Sequence, residues 1–591
     1  MRLTLRRLRR RLRRERPLRG ILLAALALGA CATAQDGPSL TGDYLSGRLA
    51  VKKNSIDEAA AAFLAAHRDA PEQKDILRSA FFYQLAAGEI DAVGPLAKKI
   101  LADDDTENDG LARVALAAIS LKQKEYAQAR TILQGGYDAP FLKSAGYLTD
   151  VWIEDALHGP KAAIAKLEIA PKDVFNGFNP LHRALLLEKA DEIEEARTAH
   201  QVSVFGVGGS VGRIAYGAFL ERIGDEASAR EYYKLLNRET GAARRTAQAG
   251  LARLDDGNAS NLYARTTAQQ GAAIAFNAFS AAILEQTVGE RTRAEEAGFN
   301  VGEPRYNLPL SLSQIAIYLD PELHDARNLV GQIFNVYGDF DAAAETLSAI
   351  PPSSPLFEQS RIFIAGGVSA RGEPDKAIAM LKDTVSRDKN AVEAKFSLAN
   401  LYASEDRHKD AVSTVSEIID DLGEDPEEDA WRYFIARGAS FLELDRWEDG
   451  EADLKKAVEL APEEATTLNY LGYSWAERGE NLEEAFRLIE KAVELEPGSG
   501  AITDSLGWAH YQRGDYEIAV GHLETAASLE PSDPTITDHL GDVYWRLGRP
   551  IEAKYEWRRV LELDAPEKLR TEVQRKLEKG LEPLSDAAPE K

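Results

Sequence analysis

The chain of 591 residues has one cysteine, Cys31. No disulfide can form within it, so stability must come from packing, and no zinc site can be built on a set of thiolates. Long apolar runs are also scarce. The single continuous one, Gly20 to Ala30 (GILLAALALGA), has eleven residues, where a membrane-spanning helix needs about 20. No run reads convincingly as a strand. The nine histidines are scattered, with no HExxH or HxH pair to bring two imidazoles to one metal. Basic residues are outnumbered, 71 against 96 acids, for a net charge of −25. Such a surface repels nucleic acid and bare anionic lipid, and favours basic partners.

The few cations are placed unevenly. Residues 1–20 hold ten arginines, no lysine and one acid, Glu15. A basic region, a short apolar region and a small-residue exit form the layout of a secretory signal over residues 1–30. Two cleavage sites compete. Ala32-Thr33-Ala34 would release a soluble protein at Gln35. Leu28-Gly29-Ala30-Cys31 resembles the lipobox of bacterial lipoproteins, a family in which the cysteine takes a diacylglycerol and becomes the new amino terminus. That resemblance implies a lipidated Cys31, a linker over 31–42 and a membrane anchor. Ala32 after the cysteine favours the outer membrane, with the chain facing the periplasm; the other cut gives a soluble periplasmic protein. An Arg-rich organelle transit peptide is the remaining reading of the leader. Without residues 1–30 the chain has 61 basic and 95 acidic residues, net −34. It is then too long for one compact core.

What fills that length is a repeat. Gly438, Gly472, Gly507 and Gly541 recur at 34, 35 and 34 residues, and Pro462, Pro497 and Pro531 at 35 and 34. The segments Asn469–Pro497, Asp504–Pro531 and Asp538–Asp564 align, with small Ala485, Ala519 and Ala553 opposite the glycines. Gly479, Gly514 and Gly548 stand where a first helix would end. These features resemble the tetratricopeptide repeat, a helix–turn–helix unit of 34 residues. The resemblance implies an all-α fold, an α-solenoid wound as a right-handed superhelix. Fainter copies of the turn and its small residue occur at Lys53–Phe63, Lys124–Leu133, Ala190–His200, Ile223–Tyr233, Tyr337–Leu347, Arg371–Leu381 and Glu405–Val415.

The expected organisation is divergent repeats over 43–286, an irregular joint over 287–309, repeats over 310–565 (strongest over 430–565) and a polar capping helix with tail over 566–591. An acidic insertion falls at Ile419–Glu428. The glycine-rich Phe205–Gly212 reads as a turn, since it lacks the GxGxxG spacing and any P-loop lysine. Repeats leave no room for a catalytic domain, so the chain reads as no enzyme, with no cofactor and no metal. In the family resembled, the first helices of successive units line a groove. Counting from the glycines places Asn469, Tyr473, Asp504, Trp508, Tyr511, Asp538, Asp542 and Trp545 on it. The expectation is an acidic groove with aromatic walls that takes a protein or peptide segment with basic and apolar side chains. Trp475 falls on the core side.

At the scale of the whole chain, the layout is similar to large tetratricopeptide-repeat lipoproteins of Gram-negative bacteria. One such protein is an adaptor that brings substrates to a carboxyl-terminal processing protease. That likeness implies a scaffold or adaptor. The competing readings are an assembly factor for outer-membrane proteins, pili or exported polysaccharide, and last a wall-cleaving or glycosyl-transferring enzyme.

Overall fold

The computed structural model describes residues 40–103, 109–171, 174–205, 209–239, 241–296, 306–423, 428–563 and 565–581. Cys31 and the leader lie outside these residues. The protein is all-α, with thirty α-helices and no strand among the described residues. The helices are short and mostly paired. In most pairs a tight turn is followed four residues into the second helix by an alanine. Ala59, Ala129, Ala196, Ala229, Ala343, Ala377, Ala411, Ala485, Ala519 and Ala553 are all at most 1% exposed. A small residue there lets the two helices approach, which is why the turn signature persists where the rest of the repeat has drifted. Gly514 closes one first helix with φ +89°, a left-handed geometry that costs glycine nothing.

Among the described residues the chain divides into two compact units. One comprises residues 40–290 and 306–394; the other comprises 395–581 with 291–296. Each is an α-solenoid in which neighbouring helices stack in sequence order.

The first unit departs from a plain solenoid. The helix Ala268–Glu296 is 29 residues long, and the seven consecutive residues Gly271 to Asn277 are all buried. Two turns buried on every side means that helices surround this segment rather than flank it. Trp152, wholly buried, lies against Gly271 so closely that a Cβ there would overlap its ring. Trp152 Nε1 donates to His182 Nδ1 at 2.9 Å. Burial pushes the His182 imidazole down to about 3, so it is neutral and can accept. Phe279 meets Phe178 edge to face at 4.8 Å, and Gln269 Nε2 donates to the Leu121 carbonyl at 3.1 Å.

The unit then returns to its start. Helix Asn307–Leu319 packs on Lys74–Ala86 and Gly110–Lys122, and Tyr306, Leu310, Val330 and Phe334 join Ile56 and Ala86 in one core cluster. The interior of this unit is therefore filled by its own chain. The expectations for this region are corrected in two places. Repeats do not run unbroken to residue 286, because 268–284 is a chargeless buried helix. Residues 287–296 of the supposed joint continue that helix.

Residues 209–212 of the glycine-rich stretch are also helical, in Gly209–Arg222. Gly208-Gly209-Ser210-Val211-Gly212 has the G-x-S-x-G spacing of a nucleophile elbow. Such an elbow needs a strand entering the turn, and no strand occurs among the described residues.

Candidate partner-binding face

The second unit stacks five helix pairs from Val392–Ser404 through Pro550–Glu562 and ends in the helix Glu567–Lys579. Its tightest pairs follow the repeat chemistry. A Cβ on Gly507 would stand 2.7 Å from Leu523 Cγ, and one on Gly541 2.6 Å from the Trp557 ring. The first helices are started by side-chain caps. Ser499 Oγ accepts from the Ile502 N–H at 3.3 Å, and Asp533 Oδ1 accepts from Thr535 N–H at 2.7 Å. These caps fix where Gly500–Arg513 and Pro534–Arg546 begin. The first helices Ala465–Arg478, Gly500–Arg513 and Pro534–Arg546 then lie side by side.

On that face Asp504 and Trp508, one turn apart, meet His539 of the next first helix. His539 Nδ1 lies 3.0 Å from Asp504 Oδ2. The Trp508 ring stacks on His539 at 3.9 Å and on Tyr511 at 4.5 Å. Arg546 Nε donates to Tyr511 OH at 3.2 Å. Trp508, Tyr511 and Tyr473 are half-buried. Burial, with Glu477 and Asp504 nearby, raises the Tyr473 phenol well above its ordinary range. Asn469 Oδ1 is buried with no donor among the described residues.

The acids behave differently from expectation. Asp504, Asp538 and Asp542 are buried, each at most 6% exposed. Asp504 is paired with His539, and Lys576 of the terminal helix reaches over the other two. Its Nζ donates to Asp538 Oδ2 and Asp542 Oδ2, both at 2.8 Å, and the side chain is 3% exposed. Trp557 Nε1 donates to Asp542 Oδ1 at 2.9 Å. Trp545 packs against Trp557 at 5.4 Å and against the end of the terminal helix, where a Cβ on Gly580 would overlap its ring. So the expectation of an open acidic groove is corrected. The three acids are consumed inside the chain, and Trp545, half-buried, packs against the core beside the terminal helix. Counting along a repeat finds the face a residue occupies, but not what the next helix lays over it. Nothing in the sequence marks Lys576 among Lys568, Arg570, Arg575 and Lys579.

The cluster has a definite response to pH. Burial and the neighbouring Asp542 push Asp538 up to about 6, against the pull of Lys576. Burial lowers His539, but Asp504, Asp538 and Asp542 outweigh it and leave it above its ordinary value. Burial likewise opposes charge on Lys576, and Asp542 and Asp538 override it. A raised carboxyl weakens the folded state above pH 6 and relieves it as pH falls toward 4. A raised histidine stabilises below 6.5 and loses that contribution as pH rises through its folded value. Both act in one direction. Carboxylates held low by partners, such as Glu451, lose their contribution only near their ordinary range. Thermal stability of this unit is therefore expected to peak at about pH 5–6 and to fall toward pH 8. Amide protection over 534–579, measured across that range, checks this; protection that rises from pH 6 to 8 would contradict it.

The paired, stacked helices define a helical-repeat protein. The tetratricopeptide-repeat family model matches residues 369–427, 435–500 and 505–565, so this part of the chain is built of tetratricopeptide repeats, domains that bind protein or peptide partners. No curated protein matches the sequence significantly. Similar solved structures include the Cut9-Hcn1 hetero-tetramer of the APC/C, at 14% identity over 95% of this chain and 98% of that one, with TM-score 0.38. Yeast Tom70 has 11% identity over 92% and 95%, with TM-score 0.34. A tetratricopeptide repeat protein of Parabacteroides merdae has 14% identity over 43% and 99%, with TM-score 0.37. Overlap this low transfers no function.

No helix among the described residues is long and apolar enough to cross a membrane. No group of three potential metal ligands occurs among them.

Proposed function

We propose that the protein is a non-enzymatic scaffold of the bacterial cell envelope, held on the outer membrane through a lipidated Cys31, whose second unit captures a segment of another protein. The observation that carries the binding reading is the half-buried pair Tyr511 and Trp508, stacked on the buried His539, one repeat away from the buried, donorless Asn469 oxygen. Half-exposed aromatic side chains beside an acceptor in need of a donor suit an extended segment with apolar side chains and an exposed N–H or cation. Tetratricopeptide repeats generally act as non-catalytic scaffolds. The whole-chain layout supports an adaptor role, with the captured protein presented to a carboxyl-terminal processing protease; an assembly factor for envelope structures would use the same face.

The test is a photo-crosslinking residue at Tyr473 or Gln512 in living cells, followed by mass spectrometry of the captured chain. A protease or its substrate supports the adaptor; a subunit of an envelope assembly supports the alternative. Trp508→Ala is expected to raise the off-rate of the captured partner by a factor corresponding to about 2 kcal/mol, with little change in on-rate. Unchanged kinetics in a folded variant would remove this face from consideration. For the anchor, Cys31→Ser is expected to move the protein from the membrane, washed at high salt to remove surface attraction, to the soluble periplasmic fraction. Retention of that variant on the membrane, with no labelled acyl chain on the wild type, would overturn the lipoprotein reading.

A further inference from the structure

The first described helix, Leu40–Lys52, ends the first unit with one side bare. Leu45 and Leu49, one turn apart, are 59% and 54% exposed. Arg48, Lys52 and Lys53 are exposed beside them. Among the described residues, neither Arg48 nor Lys52 makes an ion pair; Arg48 Nη1 donates only to Tyr44 OH, at 3.2 Å. Unpaired cations are notable in a chain of net charge −25. Behind the helix lies a pocket of about 680 Å³ whose lining includes Arg48, Leu49, Lys52, Asn54, Asn307 and Tyr83. Tyr337 OH donates to Asn307 Oδ1 at 2.8 Å, which occupies that amide's acceptor and leaves its N–H groups as donors. The polar lining is thus dominated by donors and positive charge, and the helix beside it presents apolar side chains.

We propose that this end of the first unit docks on an anionic phospholipid bilayer, with a headgroup phosphate entering the Arg48–Lys52 pocket and Leu45 and Leu49 dipping into the interface. A phosphodiester offers only acceptors and negative charge, and so matches the pocket. An interfacial helix pairs leucine with basic residues on adjoining faces. Repulsion from the acidic remainder is screened beyond about 8 Å at physiological salt, so the local patch governs contact. The choice of a bilayer over other anions rests on the lipoprotein reading: eight residues separate Cys31 from Leu40, a reach of at most about 30 Å, which keeps this helix close to an anchored membrane. The anchor would hold the chain at the surface, and the pocket would set which end faces it.

The experiment uses the chain carrying Cys31→Ser, so that no acyl chain contributes. It is sedimented with vesicles of phosphatidylcholine alone and of phosphatidylcholine mixed equally with phosphatidylglycerol. Binding is expected to the mixed vesicles only. Arg48→Glu with Lys52→Glu should weaken it at least on the order of tenfold, and Leu45→Gln with Leu49→Gln should weaken it while leaving the helical spectrum intact. Equal binding to both vesicle types, or unchanged binding by the charge-reversed variant, would overturn the proposal. So would saturation of the pocket by soluble glycerol phosphate, followed by amide shifts at Arg48 and Asn307, in protein that never partitions to vesicles: the ligand would then be a free anion. A concentration-dependent dimer abolished by Leu45→Gln with Leu49→Gln would instead assign the face to a second copy. Failure of the lipoprotein reading registers separately, as absence of acyl label on wild-type Cys31, and leaves the vesicle result standing.

Discussion

Lys576→Met is expected to unfold the end of the second unit first, at a loss of about 3–5 kcal/mol. The substitution keeps the length of the side chain and removes its ammonium. Asp538 and Asp542, both buried, would then face one another with no cation between them. Removing one partner of a buried ion cluster costs far more than the cluster contributes, because the remaining charges are out of water and uncompensated. Two further results distinguish this from loss of packing. The deficit should shrink as pH falls below about 6, since Asp538 already titrates near there and protonation removes the repulsion. Adding Asp538→Asn and Asp542→Asn to Lys576→Met should recover most of the stability, because neutral amides need no cation. Hydrogen exchange over 534–579 reads all three. Protection unchanged in the single variant, or no recovery in the triple, would show that Lys576 does not hold this end together.

The central helix of the first unit gives the other large effect. Trp152→Ala is expected to cost about 3–5 kcal/mol, the range for emptying a fully buried aromatic site, and it also strands His182 Nδ1 without its donor. Gly271→Ala should cost about 1–3 kcal/mol by overpacking, since its new methyl would meet the Trp152 ring. The two should not add. With the indole gone, the methyl on residue 271 has space, so the double variant should lose less than the sum of the two, a coupling on the order of 1 kcal/mol or more. Chemical denaturation of the three variants, with amide protection over 268–284, measures it. Strict additivity would mean that the helix is not seated against Trp152.

Most of the local architecture was legible because it depends on contacts within one pair of helices. A glycine at one place, an alanine at another and a turn between them are close in sequence, so the spacing of Gly507, Gly514 and Ala519 carried their geometry with it. The shared face of Trp508 and Tyr511 was implied by the resemblance to the repeat family, counted forward from Gly507. Residues 268–284 offered a signal of another kind: seventeen residues without a charge, longer than either helix of a repeat. Read as one more divergent repeat, that stretch concealed a helix that belongs inside the unit.

By itself, then, the sequence determined the all-α class and the helix pairs, since short-range sterics and periodicity decide those. Only the tertiary structure decided which of the groove residues remain available. Lys576 lies 34 residues from Asp542 and 38 from Asp538, and Gly271 lies over a hundred residues from Trp152. No local pattern encodes such pairings. They arise when the stack brings a later helix across an earlier one, and burial then turns exposed-looking acids into the internal partners of a single ammonium.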